Sequence, residues 1–465
     1  MSPAPVVVIG GGLAGMAAAL RLADAGAEVV LVERRRRLGG LTWSFQRHER
    51  WFDNGQHVFL RCCHAYRGFL ARIGGVGEVT VQDRLRVPVL APSGRRAVIR
   101  RDDLPAPAHL ARSLLGYRHL SVLDRLRLGP AALGLLRLDP DDPALDRRSF
   151  GDWLAEHHQR PQAIRVLWDL IVRPTVNLPA ESASLAMAVR VFRTGLLDET
   201  DAGDIGWATV PLGELHGRRA GMALAEAGVR VELGATVHQL TPSGGAWEVQ
   251  ADSGRCWRAA AVILAVPPGP AATLAPPGSL PAVERLGASP IVDVQLVLDR
   301  RVVEEPFWAA VDSPVQFVFD RTRAAGMDPG SGQVLAVSLS AAERWARLRP
   351  EACVAEIRAG LEALVPKMAK ARLLDAVVTK EQAATIRALP GTAPLRPRPG
   401  VVAPGLAVAG AWCQTGWPST MEGAVRSGRA AAEAVLAELQ GLAEARFRSV
   451  DADRLVGVVS PEEVR

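Results

Sequence analysis

"VVVIGGGLAGMAAALRLADAGAEVVLVE", residues 6–33, decides the reading of the chain. Val6 to Ile9 is a short continuous apolar run, suited to a parallel strand buried on both faces. Gly10, Gly12 and Gly15 follow at the spacing G-x-G-x-x-G, and a helix-compatible stretch runs from Met16 to Ala25. The apolar run that ends at Glu33 reads as a second strand. Such a β-α-β unit binds a dinucleotide: the glycines permit a tight turn and close backbone approach to a pyrophosphate, which sits on the helix N-terminus. Leu13 and Ala14 supply N–H groups of that first turn. Glu33, 18 residues beyond Gly15, is placed to accept from ribose hydroxyls, and its charge disfavours a 2′-phosphate.

The rest of the composition narrows the class. At 465 residues the chain exceeds one core, and its 48% hydrophobic content suits a packed globule. The net charge of +6 rests almost wholly on arginine, with lysine only at Lys367, Lys370 and Lys380. No Lys/Arg cluster is interleaved with aromatics, so nucleic acid is not an expected partner. Five cysteines without a C-x-x-C pair argue against a disulfide scaffold and a zinc site, so no metal is expected and a reducing cytoplasm is the expected location. Val6 to Leu20 lacks the basic start of a signal peptide, and no uninterrupted apolar run of about 18 residues suggests a spanning helix.

Further strands follow in "VRVELGATVHQLTPSGGAWEVQADSGRCWRAAAVILAVPP", and a last one at Leu406 to Ala409 leads into a helix from about Glu422 to Glu438. The expected fold is α/β: a Rossmann-type nucleotide-binding domain assembled from separated segments, 1–75, 210–280 and 400–445, with an α+β substrate domain. The latter takes 76–209, rich in Leu, Arg and Pro and expected to be largely helical, and 281–399, which mixes strands such as "VDVQLVLD" with a helix around Ala352 to Leu364. Residues 446–465 read as a dispensable tail.

The continuation "VERRRRLGGLTWSF", with Arg35 and Arg37 before Gly39 and Gly40, resembles the second motif of the FAD-dependent amine oxidase and carotenoid desaturase superfamily. Within it, "WFDNGQHVFL" (51–60), "RPTVNLPAESASLAMAVRVFRTGLL" (173–197, with Asn177), "TVPLGELHG" (209–217) and "TGWPSTMEGAVRSG" (415–428) are similar, in order, to blocks of the hydroxysqualene dehydroxylases. The resemblance runs over almost the whole chain and implies a flavoprotein that reduces hydroxysqualene to squalene in hopanoid or related triterpene supply. It implies FAD held by Gly10, Gly12, Leu13, Ala14, Gly15, Glu33, Arg35, Arg37, Gly39, Gly40, Leu41, Gly55, Val237, Gly410, Trp412, Trp417, Met421 and Glu422. One departure stands out: superfamily members usually read Gly-Asp where this chain has Gly410-Ala411, which puts the usual ribityl or phosphate contact in doubt.

Replacing an allylic hydroxyl by hydrogen requires hydride from reduced flavin and a proton for the departing oxygen. His57 and Gln56 are the expected polar side chains near the flavin, His57 as proton donor or as a group that only packs there. Asp53 is expected to fix the loop. Trp168, Trp207, Phe307, Trp308 and Phe317 are candidates for the wall of an apolar tunnel, each with the alternative of plain core.

Oxidative desaturation of a carotenoid or other prenyl chain, amine oxidation, and a non-catalytic flavin-binding partner in prenyl-lipid transfer remain alternatives. Two tyrosines, Tyr66 and Tyr117, leave little material for an aromatic cage of an amine oxidase. No second G-x-G-x-x-G offers a nicotinamide site, so the electron donor stays open between an external donor and free NADPH. Upstream prenyl synthases are expected partners. Residues 110–138, with Arg112, Arg118, Arg125, Arg127 and Arg137 among leucines, suit either an anionic membrane surface at the inner face of the cell membrane or an amphipathic helical pair packed on the substrate domain.

Overall fold

The computed structural model describes the backbone of residues 4–456 and the side chains of 4–441, Ser253 excepted. A six-stranded sheet runs in the order Arg230–Leu233, Val29–Glu33, Val6–Ile9, Ala261–Leu264, Leu406–Val408, Gly400–Ala403. The first five strands are parallel, and Gly400–Ala403 closes the edge antiparallel. The central strands are apolar throughout because both faces are covered. Alternation sorts the two sides: Val6 and Val8 face the helices Leu13–Asp24 and Met421–Val456, whereas Val7 and Ile9 face the antiparallel meander Val237–Ser243, Ala246–Ala251, Cys256–Ala259.

Two glycine contacts set how closely this layer packs. A Cβ on Gly15 would fall 1.8 Å from the Gly10 carbonyl oxygen, and one on Gly428 would fall 2.0 Å from that of Ala14. Gly428 thus lets the final helix lie directly on the first. That helix runs past the expected end of the layer, to Val456, so residues 446–456 continue it; 457–465 lie outside the described residues.

A seven-stranded sheet carries the other half, in the order Leu373–Thr385, Ser289–Leu298, Gln333–Leu339, Phe317–Asp320, Phe307–Ala310, Arg86–Leu90, Arg96–Arg100. One face, with Val292, Val294, Leu296 and Trp308, packs on the helix Pro350–Leu364. The opposite face meets a helical layer through Phe307, Ala309 and Phe319.

Residues 76–209 are less purely helical than the sequence suggests. The hairpin of Arg86–Leu90 and Arg96–Arg100 joins the seven-stranded sheet, with Ala309 paired to Val89. Ile205–Ala208 pairs with Val58–Leu60 and Val79–Val81 in a small sheet of its own. Asn177, in left-handed conformation at φ 57°, joins the helical layer to the large sheet. Its amide donates to Ser289 O and Thr385 Oγ1, both at 3.0 Å, and its Oδ1 accepts from Ala341 N–H. The "VNLP" asparagine is therefore a structural pin between two layers.

Candidate functional site

At the head of the first helix, Gly10 holds φ 112° and any Cβ there would stand 2.3 Å from Ala265 O, so only glycine fits. Gly12 caps the helix without a side chain, and the N–H groups of Leu13, Ala14 and Gly15 lack intrahelical acceptors. Glu33 Oε2 accepts the Gly11 N–H at 2.6 Å and Oε1 accepts the Arg35 N–H at 2.8 Å. The strand-end carboxylate is thereby fixed against the glycine turn, with lone pairs left for hydroxyl donors.

The second glycine pair closes onto the first. A Cβ on Gly40 would lie 2.8 Å from Gly12 Cα, and Gly39 N–H donates to Gly11 O at 2.9 Å. Arg35 and Arg37 donate to Gly40 O at 3.4 and 3.2 Å, and the Arg37 guanidinium lies 4.3 Å from the Trp43 ring centroid. Burial, reinforced by the Arg35 charge, lowers the Arg37 pKa to about 10, which leaves it cationic at neutral pH. Val237 opens the meander beside Ala235, whose N–H donates to Glu33 O.

The "DNGQH" loop divides its labour. Asp53 Oδ1 accepts from Ser44 Oγ at 2.6 Å and from Leu212 N–H at 2.9 Å, and Oδ2 pairs with Arg321 at 2.8 Å. Asn54 accepts the Trp43 N–H and donates to Leu41 O. Both residues fix the loop, leaving the following side chains to line space. Leu41, next to Gly40, stays 40% exposed, and among the described residues the buried Gln56 Nε2 has no partner. Burial pushes the His57 pKa below its ordinary value, against the pull of Asp53 and the Leu41 carbonyl, so its imidazole is neutral at neutral pH.

One acid at this place has no recognisable sequence signal. Asp293, inside the apolar strand Ser289–Leu298, is 1% exposed and accepts the Gln56 N–H on Oδ1 at 3.1 Å. The point where Gly55 would carry a Cβ lies 3.0 Å from Asp293 Oδ2 and 3.8 Å from His57 Nε2, so glycine at 55 leaves room between them. Ser338 and Thr379 stand opposite Asp293 on the two neighbouring strands, and the Thr379 hydroxyl is buried without a partner. Burial raises the Asp293 carboxyl to about 7, opposed by the Gln56 N–H and the Ser338 hydroxyl and reinforced by the nearby Asp53. The period-2 alternation that buries Val292 and Val294 on one face turns Asp293 to the other.

The C-terminal motif has a largely structural content. Arg396, 5% exposed, donates to the carbonyls of Trp412, Cys413, Trp417 and Ala411, at 2.6 to 3.4 Å. Ser419 Oγ also donates to Ala411 O, so the turn at the position of the missing aspartate is held through its backbone. Gly410 N–H donates to Ser427 Oγ. Glu422 turns away from the turn and accepts the Ala65 and Tyr66 N–H groups at the head of the helix His64–Arg72, with Arg426 as counter-ion. Trp412 is likewise directed inward, its indole donating to Val266 O at 2.9 Å. Trp417 stacks on Arg426 at 4.8 Å. The head of the final helix, at Met421, remains the part of this motif that offers free N–H groups.

Of the five aromatic candidates Trp207 and Phe317 are half-buried, whereas Phe307 is buried in the same core as Trp168. Trp207 meets Phe307 edge-on at 5.5 Å, Phe307 stacks with Phe319 at 5.8 Å, and Phe317, two residues before Phe319, shares its sheet face. Trp168 and Trp308 are corrections to the expected wall. Trp168 sits in the helical core against Phe150 and Phe192 and donates to Gln159, while Trp308, adjacent to Phe307 in its strand, points to the opposite face of the sheet.

Comparison with known proteins places this geometry. Residues 13–436 match the family described as flavin containing amine oxidoreductase. The chain belongs to that family. It is 29% identical to the hydroxysqualene dehydroxylase of Rhodopseudomonas palustris, over 93% of this chain and 98% of that protein. It is 26% identical to a probable zeta-carotene desaturase of Synechococcus elongatus, over 94% and 99%. Cyclohexylamine oxidase from Brevibacterium oxydans shares the fold, with a TM-score of 0.71 and 21% identity over 94% of this chain and all of that one, 100%. The protein is an FAD-dependent oxidoreductase. Three observations fit that cofactor: a Cβ on Gly40 would fall 2.8 Å from Gly12 Cα, so the backbone there stays bare, the first-turn N–H groups have no intrahelical acceptor, and Gln56 Nε2 has no partner among the described residues. Among the described residues no helix is long and apolar enough to cross a membrane.

Proposed function

We propose that the protein reduces hydroxysqualene to squalene, replacing an allylic hydroxyl by hydrogen. The observation that carries this reading is the end-to-end similarity to a hydroxysqualene dehydroxylase, 29% over 93% of the chain. The wall composition supports a long hydrocarbon: the half-buried Trp207 and Phe317 offer aromatic faces backed by the buried Phe307 and Phe319. An amine oxidase reading is weakened by the tyrosines, since Tyr66 is buried 2.8 Å from His216 and Tyr117 donates to Val166 O.

In this reading Gly10 to Gly15, Glu33, Arg35, Arg37, Gly39, Gly40, Val237 and the turn at Gly410 hold the dinucleotide, while Leu41, Gly55, Gln56 and His57 meet its ring. Reduced FAD, when bound, supplies the hydride that forms the new C–H bond. The chain's own task is the leaving oxygen. The Asp293 carboxyl, raised to about 7, keeps a proton in a large share of molecules at neutral pH and passes it to the hydroxyl, so that the C–O bond breaks and the oxygen departs as water. The neutral His57 orients the hydroxyl by hydrogen bonding, and Trp207 and Phe317 face the positive charge that develops on the allylic carbon. A displaced carboxylate proton is restored from solvent after each turnover.

The test is anaerobic incubation of the FAD-loaded protein, chemically reduced, with hydroxysqualene, followed by mass-spectrometric detection. Squalene is expected in proportion to flavin reoxidised. Unchanged hydroxysqualene over a correctly bound, reduced flavin overturns the reading, and desaturation of a carotene by the oxidised protein would replace it.

A further inference from the structure

Among the described residues, six of the fourteen conspicuously exposed large apolar side chains fall within residues 104–133: Leu104, Leu115, Val122, Leu123, Leu126 and Leu133. Four of them belong to the helix Val122–Leu136, which is apolar on two opposite faces. Leu128, Ala131 and Leu135 enter the helical core together with the buried Asp124. On a helical wheel Val122, Leu126 and Leu133 fall within about 40° of each other, roughly opposite that buried set. Their exposures are 68%, 61% and 52%. A helix that needed one partner only would carry polar residues there.

Within the helix the charges that reach the surface are of one sign, although Asp103 precedes the segment and Asp139, Asp141 and Asp142 follow it. Arg112 and Arg118 are exposed, and neither forms an ion pair among the described residues. Arg125 and Arg127 flank the stripe on either side of the wheel and donate only to main-chain carbonyls, Leu120 and Leu115 for the first and His158 for the second. Asp124, the acid of this helix, is turned inward and neutralised by Arg160 at 2.6 Å. Exposed leucines ringed by unpaired arginines match the two parts of a lipid surface: acyl chains below and anionic headgroups around.

We propose that the outer face of the helix Val122–Leu136, with the adjoining segment from Leu104 to Arg118, docks on an anionic lipid bilayer. The stripe enters the acyl boundary and the arginines remain at the phosphates, a division that long cationic side chains permit. The inner face of the same helical layer carries Trp168, Phe192 and the contact to Phe307, so docking brings the layer that covers the aromatic wall against the reservoir of any isoprenoid hydrocarbon. The inference deepens the substrate reading but is measured without substrate, so the two fail separately.

The experiment is flotation of the FAD-loaded full chain with vesicles of phosphatidylcholine alone and of phosphatidylcholine with phosphatidylglycerol, at low and high salt. Binding is expected to the mixed vesicles, weakened about tenfold or more without the anionic lipid or at high salt. Leu126→Gln combined with Leu133→Gln should reduce binding by a similar factor, with the flavin spectrum unchanged as the check on folding. Arg112→Glu combined with Arg118→Glu, two exposed positions, provides a second variant with the same expected loss. The proposal is overturned if the parent protein stays with the soluble fraction at low salt, or if both variants float as it does. It is equally overturned if the leucine variant dissolves a concentration-dependent dimer while neither protein binds vesicles.

Discussion

Asp293→Asn tests the assignment of the proton in two independent ways. The carboxyl lies at about 7 against an ordinary 3.8, which corresponds to roughly 4 kcal/mol between the protonated and charged forms. Because the folded pKa is the higher one, the folded protein keeps a proton that the unfolded chain has already lost, so stability falls as pH rises between those two values and levels off above 7. From pH 5 to 7 this single group should remove roughly 2 kcal/mol from the parent protein and nothing from the asparagine variant. Urea unfolding across that range, as the difference between the two proteins, reads it directly. For turnover, the parent should lose rate above pH 7 as the proton is lost, and the variant should be slower by roughly a hundredfold or more, without that descending limb. A variant with parental turnover and the same pH profile, FAD bound in both, would refute the role; parallel stability curves would refute the elevated pKa as well.

Gly428→Ala should separate the first and last helices, because the new methyl would meet the Ala14 carbonyl at 2.0 Å; loss of bound flavin on gel filtration and a lowered melting temperature are the readouts. Arg396→Gln leaves several of four turn carbonyls without a donor, at a cost of roughly 3 kcal/mol or more, and denaturant titration should show it alongside weaker FAD retention.

The nucleotide end of the site was legible because its physics is local. A glycine turn, a strand-end carboxylate and a glycine pair announce themselves by spacing, and Glu33, Gly12 and Gly40 meet as those spacings require. Asp53 too stands where a loop-fixing role predicts. Asp293 was missed because a single acid in "VDVQLVLD" looks like a routine strand alternation; only the pairing of a distant strand beside Gln56 gives it meaning. Trp308 and Trp168 were misplaced for a related reason: aromatic content says nothing about which face of a strand or helix a ring occupies. Glu422 shows the same limit, since its partners lie more than 350 residues away, at Ala65 and Tyr66.

The pairing of Val6 with Ala261 and of Val262 with Leu406 also fixes an order of events during synthesis. The strand before the dinucleotide turn has one parallel neighbour close in sequence, Val29–Glu33, and meets its other, Ala261–Leu264, only after more than half of the chain is made. Until Leu406–Val408 is made, the strand Ala261–Leu264 is an open, wholly apolar edge. Cofactor capture is therefore a late step, and nascent chains that stall before it present an aggregation-prone sheet rather than a smaller version of the enzyme.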